Sequence, residues 1–109
     1  MTDRELLESA ARAAGYTTDH KWNAERLLLD PPVMALVAYR DGELVSTGWN
    51  PLENDGDAFR LGIKFRVFGT DEFLRFLGVA YLECAGQDET AMWRRAIVLT
   101  VAAIGEKVK

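Results

Sequence analysis

The segment Trp49-Asn50-Pro51-Leu52-Glu53-Asn54-Asp55-Gly56-Asp57-Ala58-Phe59-Arg60-Leu61-Gly62-Ile63-Lys64-Phe65 joins a strand end, a polar turn, a helix cap and an amphipathic helix. Pro51 has no N–H to give to a ladder, so the strand that ends in Trp49 stops there. Asn54 or Asp55 can accept from the unpaired N–H groups of a first helical turn, and Asp57 suits the positive end of the helix dipole. Ala58, Leu61, Gly62 and Phe65 then share one face, with Phe59 and Ile63 beside them and Arg60 and Lys64 outside. Gly62 in mid-helix costs up to about 1 kcal/mol against alanine. Close approach to a sheet would offset that cost.

Upstream, Val33 to Tyr39 and Leu44 to Trp49 read as strands separated by Asp41-Gly42. An Asp-Gly pair between two apolar runs is a strong hairpin signal, because both turn positions need positive φ. The first helix is expected from about Asp3 to Ala14, with Thr2 and Glu5 as the halves of a capping box. Leu6, Leu7, Ala10, Ala13 and Ala14 form a narrow, alanine-rich stripe that should lie flat on a sheet. Gly15 is the stop signal. Trp22 to Leu29 fits either a short helix or an extended edge, and Asp30-Pro31-Pro32 ends either one.

Downstream, Phe65 to Phe68 is expected to form a third strand and Gly78 to Cys84 a fourth. Between them Thr70 to Leu77 has two readings. Thr70 suits a helix cap, whereas Phe73, Arg75 and Leu77 alternate as a strand would. Ala85-Gly86-Gln87 reads as a turn. Asp88 then caps a last helix that runs to about Glu106. From Ala96 to Ile104 that helix is apolar on almost every side, so it is either deeply buried or shared with a second chain. One small domain rarely wraps a helix completely, which favours a homo-oligomer. The sum is a single α+β domain over residues 1–109: one mainly antiparallel sheet of about four strands with helices on its faces, an α-β-α sandwich.

Composition excludes several classes. The 109 residues suit one domain, and 49% apolar with 28% charged residues is close to a globular average. The net charge of -4 argues against duplex DNA, which needs clustered Lys and Arg, and is compatible with a basic protein partner. Cys84 is the single cysteine, so no internal disulfide can form, which fits a reducing cytoplasm. Met1-Thr2-Asp3-Arg4-Glu5 does not resemble a signal peptide, and no run is long enough to span a membrane.

A Trp-Asn-Pro turn followed by Asp-Gly-Asp-Ala and Arg-Leu resembles a pattern in small phage and prophage proteins related to the NinX-like and phage ABA-sandwich families. The matching residues are Trp49, Asn50, Pro51, Leu52, Asp55, Gly56, Asp57, Ala58, Arg60 and Leu61. Arg94-Arg95-Ala96-Ile97-Val98 and Ala102-Ala103-Ile104-Gly105 form a second match. The continuation Gly62, Lys64-Phe65-Arg66 departs from the family's more usual Ala-Val-Lys-Leu. The resemblance implies a helix–sheet–helix sandwich and a phage or prophage origin, in the cytoplasm of an infected or lysogenic bacterium. It implies no established activity.

Chemistry-bearing motifs are scarce. Metal sites need several His, Cys or carboxylate ligands, and His20 and Cys84 stand alone in their types. Asn54-Asp55-Gly56-Asp57 lacks the later ligands of a calcium loop and reads as a cap. Cys84 with His20 is the only cysteine–histidine pair, and a lone cysteine in a strand is usually core. Asp55 and Asp57 could pair as catalytic carboxylates, with no partner base visible. The expectation is therefore no enzyme, no cofactor and no metal. Trp49 and Trp22 are the candidates for an exposed contact, although packing at the sheet end, locking the Asn-Pro turn, is the favoured reading of Trp49. Asn50, Asp55, Asp57, Arg60 and Lys64 complete the candidate binding set. Trp93, Ile97, Thr100, Val101 and Ile104 are the candidate seam between copies.

Two functional readings result. The first is a non-enzymatic accessory protein that binds and inhibits a host protein, in counter-defence. The second is an oligomeric binder that sequesters a nucleotide, using Trp49 for stacking and Arg60 for charge.

Overall fold

The computed structural model describes residues 1–107. Five helices and one hairpin follow in the order α1 (Asp3–Ala13), α2 (Lys21–Leu27), β1 (Leu36–Arg40), β2 (Glu43–Trp49), α3 (Asp55–Lys64), α4 (Asp71–Glu83) and α5 (Glu89–Gly105). The α+β class holds. The sheet has two antiparallel strands rather than four, and it is a flank of the molecule rather than its middle layer.

The centre is α5. Ala96, Ile97, Val98, Val101 and Ala102 are buried, enclosed chiefly by α1, α4 and α3. Helices from the same chain thus cover the nearly all-round apolar surface that pointed to a second copy. Thr100 is buried among them, and its hydroxyl donates to the Ala96 carbonyl at 2.8 Å.

α1 has the expected capping box: Thr2 Oγ1 accepts from the Glu5 amide at 3.2 Å, and Glu5 Oε1 accepts from the Thr2 amide at 2.9 Å. Of its expected stripe Leu6, Leu7, Ala10 and Ala14 are buried and Ala13 is partly so, while Ala11 is buried beside them. The stripe packs on α5, not on a sheet. Small side chains are what let two helix backbones close together. A Cβ added to Gly105 of α5 would fall 1.8 Å from the Ser9 carbonyl oxygen of α1, so glycine is the residue that permits this approach.

The hairpin turns at Asp41 and Gly42, whose φ values are 52° and 81°. Arg40 pairs with Glu43, Tyr39 with Leu44, Ala38 with Ser46 and Leu36 with Trp49, with irregularities that bend the ribbon. The first strand begins at Leu36, not Val33. Val33 instead donates its amide to the Arg26 carbonyl at the end of α2. On the far side of β1 the side chain of Asn23 acts as a substitute strand. Its Nδ2 donates to the Val37 carbonyl at 3.0 Å, and its Oδ1 accepts from the Val37 amide at 2.7 Å. The second Nδ2 hydrogen reaches the Thr18 carbonyl at 2.9 Å. α2 is thus the helix, not the extended edge, of the two readings.

The expected strand at Phe65 to Phe68 is a helix stop. The Val67 amide donates to Gly62 and the Arg66 amide to Ile63, with Arg66 at φ 50°. That bond pair is the left-handed closure usually given to glycine. Phe68 then folds back over Gly62, where an added Cβ would meet the Phe68 ring at 2.7 Å. A ring, not a sheet, uses the space that Gly62 leaves.

The expected strand at Gly78 to Cys84 is also overturned, because Gly78 to Glu83 continues α4. Thr70 Oγ1 caps it by accepting from the Phe73 amide at 3.1 Å. Phe73 and Ala80, two turns apart, are its buried residues. Apolar residues on the outer face of α4 obscured that helical spacing and imitated a buried strand.

Candidate functional site

Asn50 and Pro51 are buried, and hydrogen bonds tie the turn to the start of α3. The Asn50 amide donates to Asp57 Oδ2 at 3.0 Å, and Asn50 Oδ1 accepts from the Leu52 amide at 3.1 Å. Asn54 is the cap of α3, its Oδ1 accepting from the Asp57 amide at 2.8 Å. Asp57 Oδ1 also accepts from Arg60 at 2.8 Å. Arg94 of α5 fastens the unit from below: its Nε donates to the Leu52 carbonyl at 2.8 Å and its Nη1 to Asp55 at 2.6 Å. The motif-bearing segment is a clasp between the hairpin and α3.

Trp49 is 5% exposed and meets the Tyr16 ring edge-on at 5.6 Å. It packs at the sheet end and presents no face for a ligand to stack on. Trp49, Asp57, Arg60 and Lys64 do gather around one cleft of about 400 Å³ between β2 and α3, joined by Tyr16 and Arg40. Lys64 reaches across this cleft to the Ala14 carbonyl at 3.1 Å, its ammonium 5.6 Å from the Tyr16 ring centre. Lys64 thereby covers the end of α1, where a cation suits the helix dipole. Asp55 does not join that cleft. Its carboxylate points to Arg94 while that of Asp57 points to Arg60, so the two do not form a carboxylate pair around one reacting atom.

Trp22 lies elsewhere, on exposed α2, edge-on to His20 at 4.9 Å. His20 caps α2 through Nδ1. Cys84 closes α4 and lies 3.9 Å from the Ala91 carbonyl. Among the described residues, no three His, Cys, Asp or Glu side chains gather as a metal site, and no helix is long and apolar enough to cross a membrane.

Of the seam residues, Ile97, Thr100 and Val101 are buried within the chain. Trp93 and Ile104 are partly exposed. Trp93 belongs to a different feature: an open groove of about 630 Å³ between α3 and α5. Its apolar lining is Ala58, Phe59, Phe68, Trp93 and Ile97. Phe59 and Phe68 are 6.3 Å apart, Phe68 and Phe73 5.6 Å, and Phe73 and Trp93 5.4 Å, measured between ring centres. Phe59 is 60% exposed and Trp93 39%. Asp55 and Glu89 stand at its rim, with Arg94 already held by Asp55 and Leu52.

Sequence reasoning missed this groove because it assigned Phe59 to the fringe of a core face and Phe68 to a strand. A second hollow, about 340 Å³, is polar: Arg95 there bridges Asp3 and Glu83 at 3.0 Å each. Burial disfavours the Arg95 charge, but the hydrogen bonds to Glu83 and Asp3 outweigh it and raise its pKa. This ties three helices together.

The chain is thus a small α+β protein with a helical centre, a clasped hairpin and an exposed aromatic groove. No protein-family profile, curated protein or solved structure matches it.

Proposed function

We propose that this chain is a non-enzymatic binding protein, and that the groove between α3 and α5 receives a segment of a partner protein. One observation carries the reading. Phe59, Phe68 and Trp93 surround an apolar depression that their own chain leaves open. Clustered exposed aromatics are unfavourable in water and typical of contact hot spots. Glu89 at the rim favours a segment that inserts apolar side chains and carries Lys or Arg beside them, Asp55 being already paired with Arg94. The net charge of -4 favours the same class of partner at long range. The resemblance of the Trp49–Leu61 segment to phage and prophage proteins supports a host protein as that partner, acting in the bacterial cytoplasm, with inhibition of antiviral defence as the purpose.

The test compares wild type with Phe59→Glu, a surface change at the groove mouth. Wild type should capture a host protein, bind it stoichiometrically when it is purified, and raise phage plating on a restricting host. Phe59→Glu should keep its fold and lose all three effects. Equal behaviour of the two proteins would sink the groove as the site.

The nucleotide-sequestering reading keeps one supporting feature, the convergence of Arg40, Arg60 and Lys64 on the β2–α3 cleft. It loses Trp49 as a stacking surface. A thermal shift with nucleotides that Arg60→Ala abolishes and Phe59→Glu does not would put that cleft first.

A further inference from the structure

The polar hollow of about 340 Å³ beside the first turns of α5 holds donors and an acceptor that the chain itself does not use. Asn50 lines this hollow and is only 7% exposed. Its Oδ1 accepts from the Leu52 amide at 3.1 Å, whereas its Nδ2 donates to no group among the described residues. A donor on so deeply buried a side chain is unfavourable without a partner. Arg94 also lines the hollow and bonds to the same residue, its Nε donating to the Leu52 carbonyl at 2.8 Å. The Asn50 amide and the Arg94 guanidinium therefore both attach to Leu52. Arg94 and Arg95 each bond through Nε and Nη1, and Nη2 of each donates to nothing in the chain. Glu53, next in the turn, lines the hollow too, is exposed and has no ion partner among the described residues.

The charges of the lining select the ligand. Against the guanidinium groups of Arg94 and Arg95 stand the carboxylates of Asp3, Glu53 and Glu83. Asp3 and Glu83 are bonded to Arg95, and Asp55 holds Arg94 from outside the hollow. A lone anion would enter a region of net negative charge, and a lone cation would meet guanidinium groups. A ligand that carries both charges close together meets neither obstacle. We infer that the hollow is a binding site for a free α-amino acid with a small apolar side chain. Its carboxylate accepts from Asn50 Nδ2 and the Arg Nη2 groups, and its ammonium pairs with Glu53. Its side chain rests on Met34, Leu52 and Ala91, which supply the apolar part of the lining. A few placed polar groups that orient a ligand against apolar walls are the usual build of a small-molecule site, and this volume lies at the lower end for such sites. The hollow shares Arg94 with the α3–α5 groove but none of its aromatic rings. It therefore stands independently of the partner proposed there.

Titration of isotope-labelled protein, followed by NMR, tests this with L-alanine, L-valine and L-methionine. Acetate and propylamine serve as ligands that carry one charge each. At least one amino acid should bind saturably at millimolar concentration. It should move the side-chain amide signal of Asn50 together with the backbone amides of Glu53 and Ala91. Acetate and propylamine should bind about tenfold or more weakly, since each loses one charge-assisted contact. Asn50→Asp keeps an oxygen for the Leu52 amide and replaces the donor by a carboxylate oxygen, so amino-acid affinity should drop about tenfold or more. Glu53→Gln changes an exposed side chain that bonds nothing, so the fold should persist while affinity drops similarly. Absence of saturable binding by all three amino acids would overturn the inference, as would shifts confined to residues outside the hollow. Acetate or propylamine binding as tightly as an amino acid would also overturn it, because one charge would then suffice. If Asn50→Asp fails to fold, Glu53→Gln decides alone, and an unchanged affinity there rules the site out.

Discussion

Arg66 holds a backbone conformation that L side chains rarely adopt, and its own side chain is exposed. The left-handed turn exists because Val67 must reverse direction and bury itself beneath α3, where it is 2% exposed. A non-glycine residue in that region costs roughly 1–2 kcal/mol, and glycine returns some of the gain through its freer unfolded chain. Arg66→Gly should therefore raise stability by about 0.5–1 kcal/mol in a urea titration. A decrease would mean that the Arg66 side chain does more for the fold than its backbone costs. The same position explains a failed reading. Lys64-Phe65-Arg66-Val67-Phe68 has no glycine until Gly69, so the helix stop carries no sequence mark, and its aromatic and branched residues imitate a strand. Asn23 shows the opposite limit. Its three hydrogen bonds with Thr18 and Val37 replace a strand, yet an asparagine inside an ambiguous segment gives no sign of a partner so distant in sequence.

Elements whose signal is local were legible. The capping box of α1, the Asp41-Gly42 turn and the Asp88 cap each depend on residues three or four positions apart at most. Those caps also set an acid dependence. Hydrogen bonds from Thr90 and then the Ala91 amide hold the Asp88 carboxyl below its ordinary value of 3.8. Bonds with the Thr2 backbone and then its hydroxyl hold Glu5 below 4.5. A carboxylate depressed in the folded state binds fewer protons there than in the unfolded chain. Its contribution is present above those ordinary values and lost as pH falls through the folded ones. Melting temperature should fall as pH drops from about 5 toward 3, and less steeply in Asp88→Asn, which keeps a capping oxygen without the titration. Equal slopes in the two proteins would show that α5 does not depend on this cap. α4 was legible only in part: Thr70 offered a cap as one of two readings, but exposed Leu74, Val79, Tyr81 and Leu82 blurred the helical spacing and imitated a strand over Gly78 to Cys84. Periodicity can locate a helix only when one side is polar.

At the scale of the whole molecule, the chain is organised by one buried helix, and the hairpin is held to its side by Asn50, Asp57 and Arg94. The sequence marked those residues as special, and the structure assigns them to joining elements. The exposed groove was hidden because it is made where α3, its exit turn and α5 meet, and neither pattern nor spacing specifies such a meeting. The α1–α5 crossing is the junction on which this arrangement depends, since it joins the two ends of the chain at Ser9 and Gly105. Alanine is the better helix former by about 1 kcal/mol, so an open site would gain from Gly105→Ala. Here the new methyl would overlap the Ser9 carbonyl, which is backbone and cannot rotate away. α1 would have to move outward, and the buried packing of Leu7, Ala10 and Val101 would loosen with it. Overpacking of this kind costs typically 1–3 kcal/mol, so Gly105→Ala should lower stability by about 2 kcal/mol in chemical denaturation. Loss of α1 packing should also increase hydrogen exchange at the amides of Leu6 to Ala10 more than in the hairpin. A stabilised variant, or exchange changed only near residue 105, would show that the two helices are not held this close.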